Sequence, residues 1–151
     1  MLVNRSIPRC TVIPELAYSN VGEATAWLCD VFGFSVRLRI ANHRAQLNVG
    51  DGAMVVKEQA GIGDESSPGA NSGAPRRVDA AHSVMVRVDD VDRHHERVKQ
   101  RGARIVRPPA DYPYGERQCS VEDFAGHNWT FSQSIADVAP EQWGGTPGKL
   151  S

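Results

Sequence analysis

The chain repeats one pattern of residues in two segments, residues 11–59 and residues 81–133. In this alignment Asn20-Val21 falls on Asp90-Val91 at an offset of 70 positions. Each segment contains an alternating strand, an Asn or Asp suited to a helix N-cap, an amphipathic helix, a glycine where the helix ends, and three further strands. Such a duplication predicts an α+β protein built from two copies of one strand–helix–three-strand module.

The segment between the repeats, residues 60–80, differs from both of them in composition. It opens with AGIGDESSPGANSGAP, which is rich in Gly, Ser, Ala and Pro and contains almost no large apolar side chain. Because such a segment has little to bury, we expect a flexible linker. Residues 1–10 are predicted to form an N-terminal segment. Residues 134–151 form a tail that either latches onto the body or a partner subunit, or stays disordered.

Composition limits the classes of partner. The 17 basic and 18 acidic residues nearly cancel, so no charged surface is predicted for nucleic acid or an anionic membrane. No apolar run is long enough to span a bilayer, and the N-terminus lacks a secretory apolar stretch. Three cysteines without a CxxC pair favour a reducing compartment. We therefore expect a cytoplasmic protein whose partner is a small molecule or a second copy of itself.

Three stretches of the sequence resemble a known family. The VFGF of residues 31–34, the VDDVD of residues 88–92 and the PYGERQCSVEDFAGHNWTFSQ of residues 113–133 are similar to the bacterial branch of the glyoxalase/bleomycin resistance/dioxygenase group, the vicinal oxygen chelate superfamily. The resemblance spans about residues 11–133. It implies two tandem βαβββ modules that form a curved mixed sheet around a pocket, with helices on the outer face, and it implies a homodimer.

Period-two alternation separates the two faces of each predicted sheet. In the first strand of the second module, Val84, Val86 and Val88 form one face, and Ser83, Met85 and Arg87 form the other. The resemblance implies that the polar face lines the pocket. Two alternatives stay open: the polar face is simply solvated, or Glu15 pairs with Arg87 instead of binding a ligand.

The same reasoning gives a set of predicted ligand-binding residues. The offset of 70 transfers the polar face to the first module, and aligning Gly52 with Gly126 pairs Val56 with Thr130. A loop that the resemblance places at the pocket rim adds Tyr114 and Arg117. No catalytic residue is assigned. The full predicted set is Glu15, Gln46, Asn48, Glu58, Met85, Arg87, Tyr114, Arg117, Asn128 and Thr130.

The resemblance also raises the question of a metal ion. Metal-dependent members hold one divalent ion, Fe, Ni, Zn or Mn, through a His or Glu on the first and last strand of each module. The four positions map to Ile13, Val56, Ser83 and Thr130. These side chains do not form a ligand set, and His82 is one residue out of step with the inward face. We therefore predict no metal, with one divalent ion as the alternative.

Three functions are consistent with the sequence. The first is a homodimer that binds an antibiotic or a metabolite without transforming it. The second is a metal-dependent lyase or ring-cleaving dioxygenase of the same superfamily, and the third is a structural paralogue that binds nothing. The lack of chelating side chains favours binding over catalysis, and the predicted polar groups in the pocket favour binding over the third alternative.

Overall fold

A computed structural model describes residues 1–59 and 81–148 of the chain. The described residues fall into two compact units, residues 1–59 and residues 81–148, and each contains one module. The predicted linker, residues 60–80, lies outside the described residues. The prediction of an α+β fold with two tandem βαβββ modules is confirmed.

The first module contains a four-stranded mixed sheet with the strand order β1-β4-β3-β2, in which only the β1–β4 pair is parallel. Helix α1 follows β1 and continues into a π-helical turn, Leu28–Phe32, before the remaining strands. The Asn20 side chain accepts a hydrogen bond from the Glu23 N–H and caps α1, as the sequence indicated. The elements are β1 (Glu15–Tyr18), α1 (Val21–Trp27), β2 (Ser35–Ile40), β3 (Arg44–Val49) and β4 (Gly52–Glu58).

The second module repeats this plan with the strand order β5-β8-β7-β6 and a parallel β5–β8 pair. Asp90 caps its helix by accepting from the Arg93 N–H. After the last strand the chain forms a short 3-10 helix, Pro140–Trp143. The elements are β5 (Val84–Arg87), α2 (Val91–Gln100), β6 (Arg104–Tyr112), β7 (Glu116–Glu122) and β8 (Asn128–Ser134).

In each module one face of the sheet carries the core. Leu16 and Tyr18 are buried on that face of the first sheet, and Trp129 and Phe131 are buried on that face of the second. Cys119 pairs with Phe131 across β7 and β8, and burial raises the pKa of its thiol to about 11. The opposite face of each sheet is the polar one, so alternation separated the faces as expected.

The predicted register of β4 is wrong by one residue. In the parallel β1–β4 pair, Leu16 lies beside Val56 and Tyr18 lies beside Glu58. Neighbouring residues in a ladder project to the same side, so Val56 and Glu58 belong to the core face. The position on β4 that corresponds to Thr130 is therefore Val55.

The cause of the error is a difference in turn length. The turn between β3 and β4 is Gly50-Asp51, whereas the turn between β7 and β8 is Asp123–His127. Aligning Gly52, the first residue of β4, with Gly126, which lies in the longer turn, ignores the extra residues. A shift of one position then exchanges the two faces of the strand.

Candidate functional site

Glu15 lies on the polar face of the first module, as predicted, but its carboxylate is already paired. One oxygen accepts from Arg44 at 2.6 Å, and the other lies 3.5 Å from the Lys57 ammonium. The hydrogen bond from Arg44 lowers the pKa of the Glu15 carboxyl, and the positive charge of Lys57 acts in the same direction. Both cations belong to Glu15's own module.

The N-terminal segment covers the polar face around Gln46. The Gln46 amide donates to the Ser6 carbonyl at 2.8 Å, and its oxygen accepts from the Arg37 guanidinium. Arg37 also donates to the carbonyls of Arg5, at 2.9 Å, and Ile7, at 3.3 Å. Gln46 is only 4% exposed. The side chain that was predicted to hold a ligand therefore holds the protein's own backbone.

Two further predicted residues of the first module are also engaged. Asn48 lies on the polar face and donates to the Ser35 hydroxyl at 3.1 Å. Glu58 lies on the opposite face and forms a 3.1 Å contact with His43, with both side chains more than half exposed. Glu58 is thus a surface residue that does not reach the polar face.

The polar face of the second module contains a hydrogen-bonded chain of side chains at one end. The Tyr114 hydroxyl donates to the Gln118 oxygen at 3.3 Å, and the Gln118 amide donates to the Ser132 hydroxyl at 3.0 Å. Ser132 in turn donates to Glu116 at 2.8 Å. A hydrogen bond from Ser134 lowers the pKa of the Glu116 carboxyl more than burial raises it. Gln118 and Ser132 are buried, which fixes the geometry of this chain.

Aromatic rings cover that end of the face. Tyr114 stacks on Tyr112 with centroids 5.5 Å apart, and Trp143 packs against Tyr114 at 5.4 Å. The tail is held in place because the Ile135 N–H donates to the Gly115 carbonyl at 2.8 Å. A Cβ at position 115 would lie 2.3 Å from the Ala136 carbonyl oxygen, so this contact requires glycine. Of the two alternatives for the tail, the structure shows the latched one, on the second module.

A cavity of about 420 Å³ occupies the other end of the same face. Ser120 and Thr130 lie beside each other on β7 and β8, and Asn128 lies one pleat further along. Arg107 extends from β6 and donates to the Tyr112 hydroxyl at 3.1 Å, which connects the cavity to the aromatic end. The lining residues are His82, Ser83, Val106, Arg107, Ser120, Asn128, Trp129 and Thr130.

His82 lines the cavity together with Ser83. Because β5 begins at Val84, strand alternation does not extend back to residue 82 and does not fix the direction of its side chain. Of the other predicted residues, Met85 and Arg87 lie on the polar face, where Met85 is 63% exposed. Both remain predicted ligand contacts.

Arg117, in contrast, lies on the opposite side of the sheet from Gln118. Its guanidinium binds Asp92 at the start of α2 at 3.0 Å and Asp111 at 2.9 Å. These two carboxylates raise the pKa of Arg117. The arginine thus ties β6 and β7 to the helix, and it is not at the rim of the polar face.

The sequence reasoning missed several residues of this face. Glu116, Gln118 and Ser120 alternate with Arg117 and Cys119 in the string ERQCS, so alternation along β7 contained a usable signal. No such signal existed for Arg107, because the register of the β6–β7 pairing shifts on both sides of this residue.

The donor set at the four chelating positions does not fit a metal ion. With the corrected register these positions are occupied by Ile13, Val55, Ser83 and Thr130, two aliphatic side chains and two neutral hydroxyls. Fe, Ni, Zn and Mn require imidazole, thiolate or carboxylate ligands. Within residues 1–59 and 81–148, no three His, Cys, Asp or Glu side chains are placed to hold an ion.

Comparison with known proteins extends the sequence resemblance. Residues 7–131 match the family described as the Glyoxalase/Bleomycin resistance protein/Dioxygenase superfamily. TioX from Micromonospora sp. ML1, which has a crystal structure, shares 34% sequence identity with this chain. The match covers 86% of this chain and 100% of that chain, with a TM-score of 0.64. No curated protein matches the chain.

Two more distant structures share the fold. The fosfomycin resistance protein FosX of Listeria monocytogenes is 15% identical, with 84% of this chain and 94% of that chain covered and a TM-score of 0.59. A lactoylglutathione lyase from Agrobacterium tumefaciens is 17% identical, with 84% and 96% covered and a TM-score of 0.57. None of the helices in the described part of the chain has the length and apolar character needed to cross a membrane.

Proposed function

We propose that this chain, which belongs to the glyoxalase/bleomycin resistance protein/dioxygenase superfamily, binds a small organic molecule without a metal ion and without transforming it. The observation that carries the proposal is the cavity on the polar face of the second module, which includes Ser83 and Thr130 at two chelating positions. Hydroxyl groups there suit hydrogen bonding to a ligand and are poor ligands for a divalent ion.

The state of the two polar faces supports placing the ligand on the second module. On the first module, Gln46 and Glu15 are bonded to groups of the same chain. A ligand there has to replace bonds that already exist, each of which contributes about 0.5–1.5 kcal/mol. The cavity of the second module has a size in the range of small-molecule sites and combines polar groups with the apolar side chain of Val106.

We further propose that the protein works as a homodimer in the cytoplasm. β5 is a four-residue edge strand, and Met85 on it is largely exposed, which suits a contact with another subunit. Cys10, Cys29 and Cys119 are free thiols, as expected in a reducing compartment. Light scattering after size exclusion tests the dimer, and a monomer mass would refute it.

A thermal-shift screen of antibiotics, thiol conjugates and catechols tests the binding function. We expect at least one compound to raise the Tm, and the Thr130→Val variant to reduce that shift because it removes a hydroxyl from the cavity. Asn48→Ala on the first module is the matched control, for which the shift should be unchanged.

Two outcomes would contradict the proposal. If no compound stabilises the protein, the structural-paralogue alternative is favoured. If a hit, or a methylglyoxal–glutathione adduct, is converted to product in the presence of Fe, Ni, Zn or Mn, the protein is an enzyme of the superfamily. Elemental analysis of protein purified without chelator provides the accompanying metal count, which we expect to be far below one per chain.

A further inference from the structure

We infer that the cavity on the second module recognises an oxyanion, so that the ligand is a small organic acid bearing a carboxylate or a phosphate group. This inference rests on the proposed function, because it names the class of ligand for the same cavity. It starts from the charge of the lining. Arg107 is cationic, five of the other lining residues carry hydroxyl, amide or imidazole groups, and no lining residue is a carboxylic acid.

Within residues 1–59 and 81–148, no carboxylate neutralises the arginine in this cavity. The only hydrogen-bond partner found for its guanidinium is the neutral Tyr112 hydroxyl, and among the described residues no carboxylate pairs with it. Its neighbour on the same strand behaves differently, since Arg104 forms a 3.1 Å salt bridge with Glu122. A guanidinium with unused donors beside a concave surface favours an anion that it can bind through two parallel hydrogen bonds.

The neutral side chains of the cavity add donors to that charge. In the part of the chain that the structure describes, the hydroxyls of Ser83, Ser120 and Thr130 and the amide of Asn128 make no side-chain hydrogen bond to the protein. This contrasts with Ser132 on the same face, which both accepts and donates a hydrogen bond. Hydroxyls and amides that are not used internally can donate to the oxygen atoms of a bound anion.

The remaining lining explains why an organic acid is favoured over a bare ion. Val106 is half exposed, so an apolar body gains contact area beside the charged group. The volume of about 420 Å³ also exceeds what a single inorganic ion would fill. A monoanionic or dianionic acid with a compact aromatic or aliphatic body fits both properties.

The test is an NMR titration of the full chain with benzoate, phenyl phosphate and neutral benzamide. We expect the two anions to shift the backbone amide signals of Ser83, Ser120 and Thr130, and benzamide to bind about tenfold more weakly or not at all. Comparison of benzoate with phenyl phosphate distinguishes a carboxylate site from a phosphate site. Higher salt should weaken the binding of both anions, because the partly exposed guanidinium is screened.

Variants of two arginines identify the group responsible. Arg107→Gln should weaken anion binding about tenfold or more, and Arg107→Lys should restore part of it, because it keeps the charge and loses the planar fork. Arg104→Gln is the matched control and should leave the affinity unchanged. Both side chains are exposed, so spectra of the unbound variants should show an intact fold.

The inference is overturned if benzamide binds as tightly as benzoate, if Arg107→Gln binds the anions as the original protein does, or if neither anion shifts the three cavity signals. The proposed function is judged separately by the thermal-shift screen. A neutral compound that stabilises the protein and shifts the same three signals would preserve the binding function while refuting the anionic ligand class.

Discussion

Asp123 is expected to be the most important polar residue for the stability of the second module. It begins the turn between β7 and β8 and is only 3% exposed. Its carboxylate accepts from the backbone N–H groups of Ala125 and His127, each at 3.0 Å, and from the Trp129 indole N–H at 3.1 Å. One side chain thus organises the turn and also satisfies the polar atom of a core aromatic residue.

The effect of Asp123→Ala follows from these three bonds. Loss of the two turn bonds costs about 0.5–1.5 kcal/mol each, since the freed N–H groups are partly accessible to water. The indole N–H of Trp129, which is 1% exposed, has no such access, and an unsatisfied buried donor costs about 1–3 kcal/mol. We expect the free energy of unfolding to fall by about 3 kcal/mol.

Urea unfolding followed by circular dichroism measures this change. The control is Asp51→Ala, because Asp51 is an exposed residue in the corresponding turn of the first module and should change stability by less than about 0.5 kcal/mol. In the Asp123→Ala background, Trp129→Phe should cost less than in the original protein, since it removes the unsatisfied N–H. Equal effects of the two alanine substitutions would refute the reasoning.

Two other predictions concern pH and the N-terminal segment. Burial, assisted by the charge of Arg97, lowers the pKa of His94 to about 4 from an ordinary value of 6.5, so the unfolded chain takes up the proton first and stability should fall as pH drops from about 6.5 to 4. His94→Gln should flatten the dependence of the urea midpoint on pH over that window, and an unchanged slope would contradict this. Gln46→Ala should speed tryptic cleavage within residues 1–10, because it removes the bond to the Ser6 carbonyl. Asn48→Ala should not, and equal cleavage rates for the two variants would count against the covering role of the segment.

Much of the fold was predictable because local chemistry repeats in the two modules. Asn20 and Asp90 cap the two helices, and Gly33 and Gly102 follow them with φ values of 80° and 79°. Positive φ values of this size favour glycine, so a local residue determines where each helix ends. Strand alternation then separated polar from apolar faces wherever a strand was regular.

One error arose from the lengths of two turns, and the others arose from contacts between residues that are distant in the sequence. Glu58 was placed on the wrong face because the lengths of the two turns differ, which no alternation within β4 reveals. Arg117 alternates with Gln118 along β7, and only the positions of Asp92 and Asp111 show what it binds. The N-terminal segment covers Gln46 through the hydrogen bond between the Gln46 amide and the Ser6 carbonyl. These two residues are 40 positions apart, and the N-terminal segment has no periodicity that would predict the contact. The contacts of Arg117 and Gln46 are tertiary, and sequence periodicity carries no information on them.

The two modules share one sequence pattern but differ in how their polar faces are satisfied, and under the proposed function this difference favours a ligand on the second module. On the first face, Gln46 and Glu15 already have partners, so a ligand gains only the difference between new and existing bonds. On the second, we expect Ser120 and Thr130 to exchange water for ligand, and the charge of Arg107 to add to the gain. Hydrogen bonds to charged groups contribute about twice as much as neutral ones, so we expect Arg107 to contribute more to ligand binding than any of the neutral side chains of the cavity.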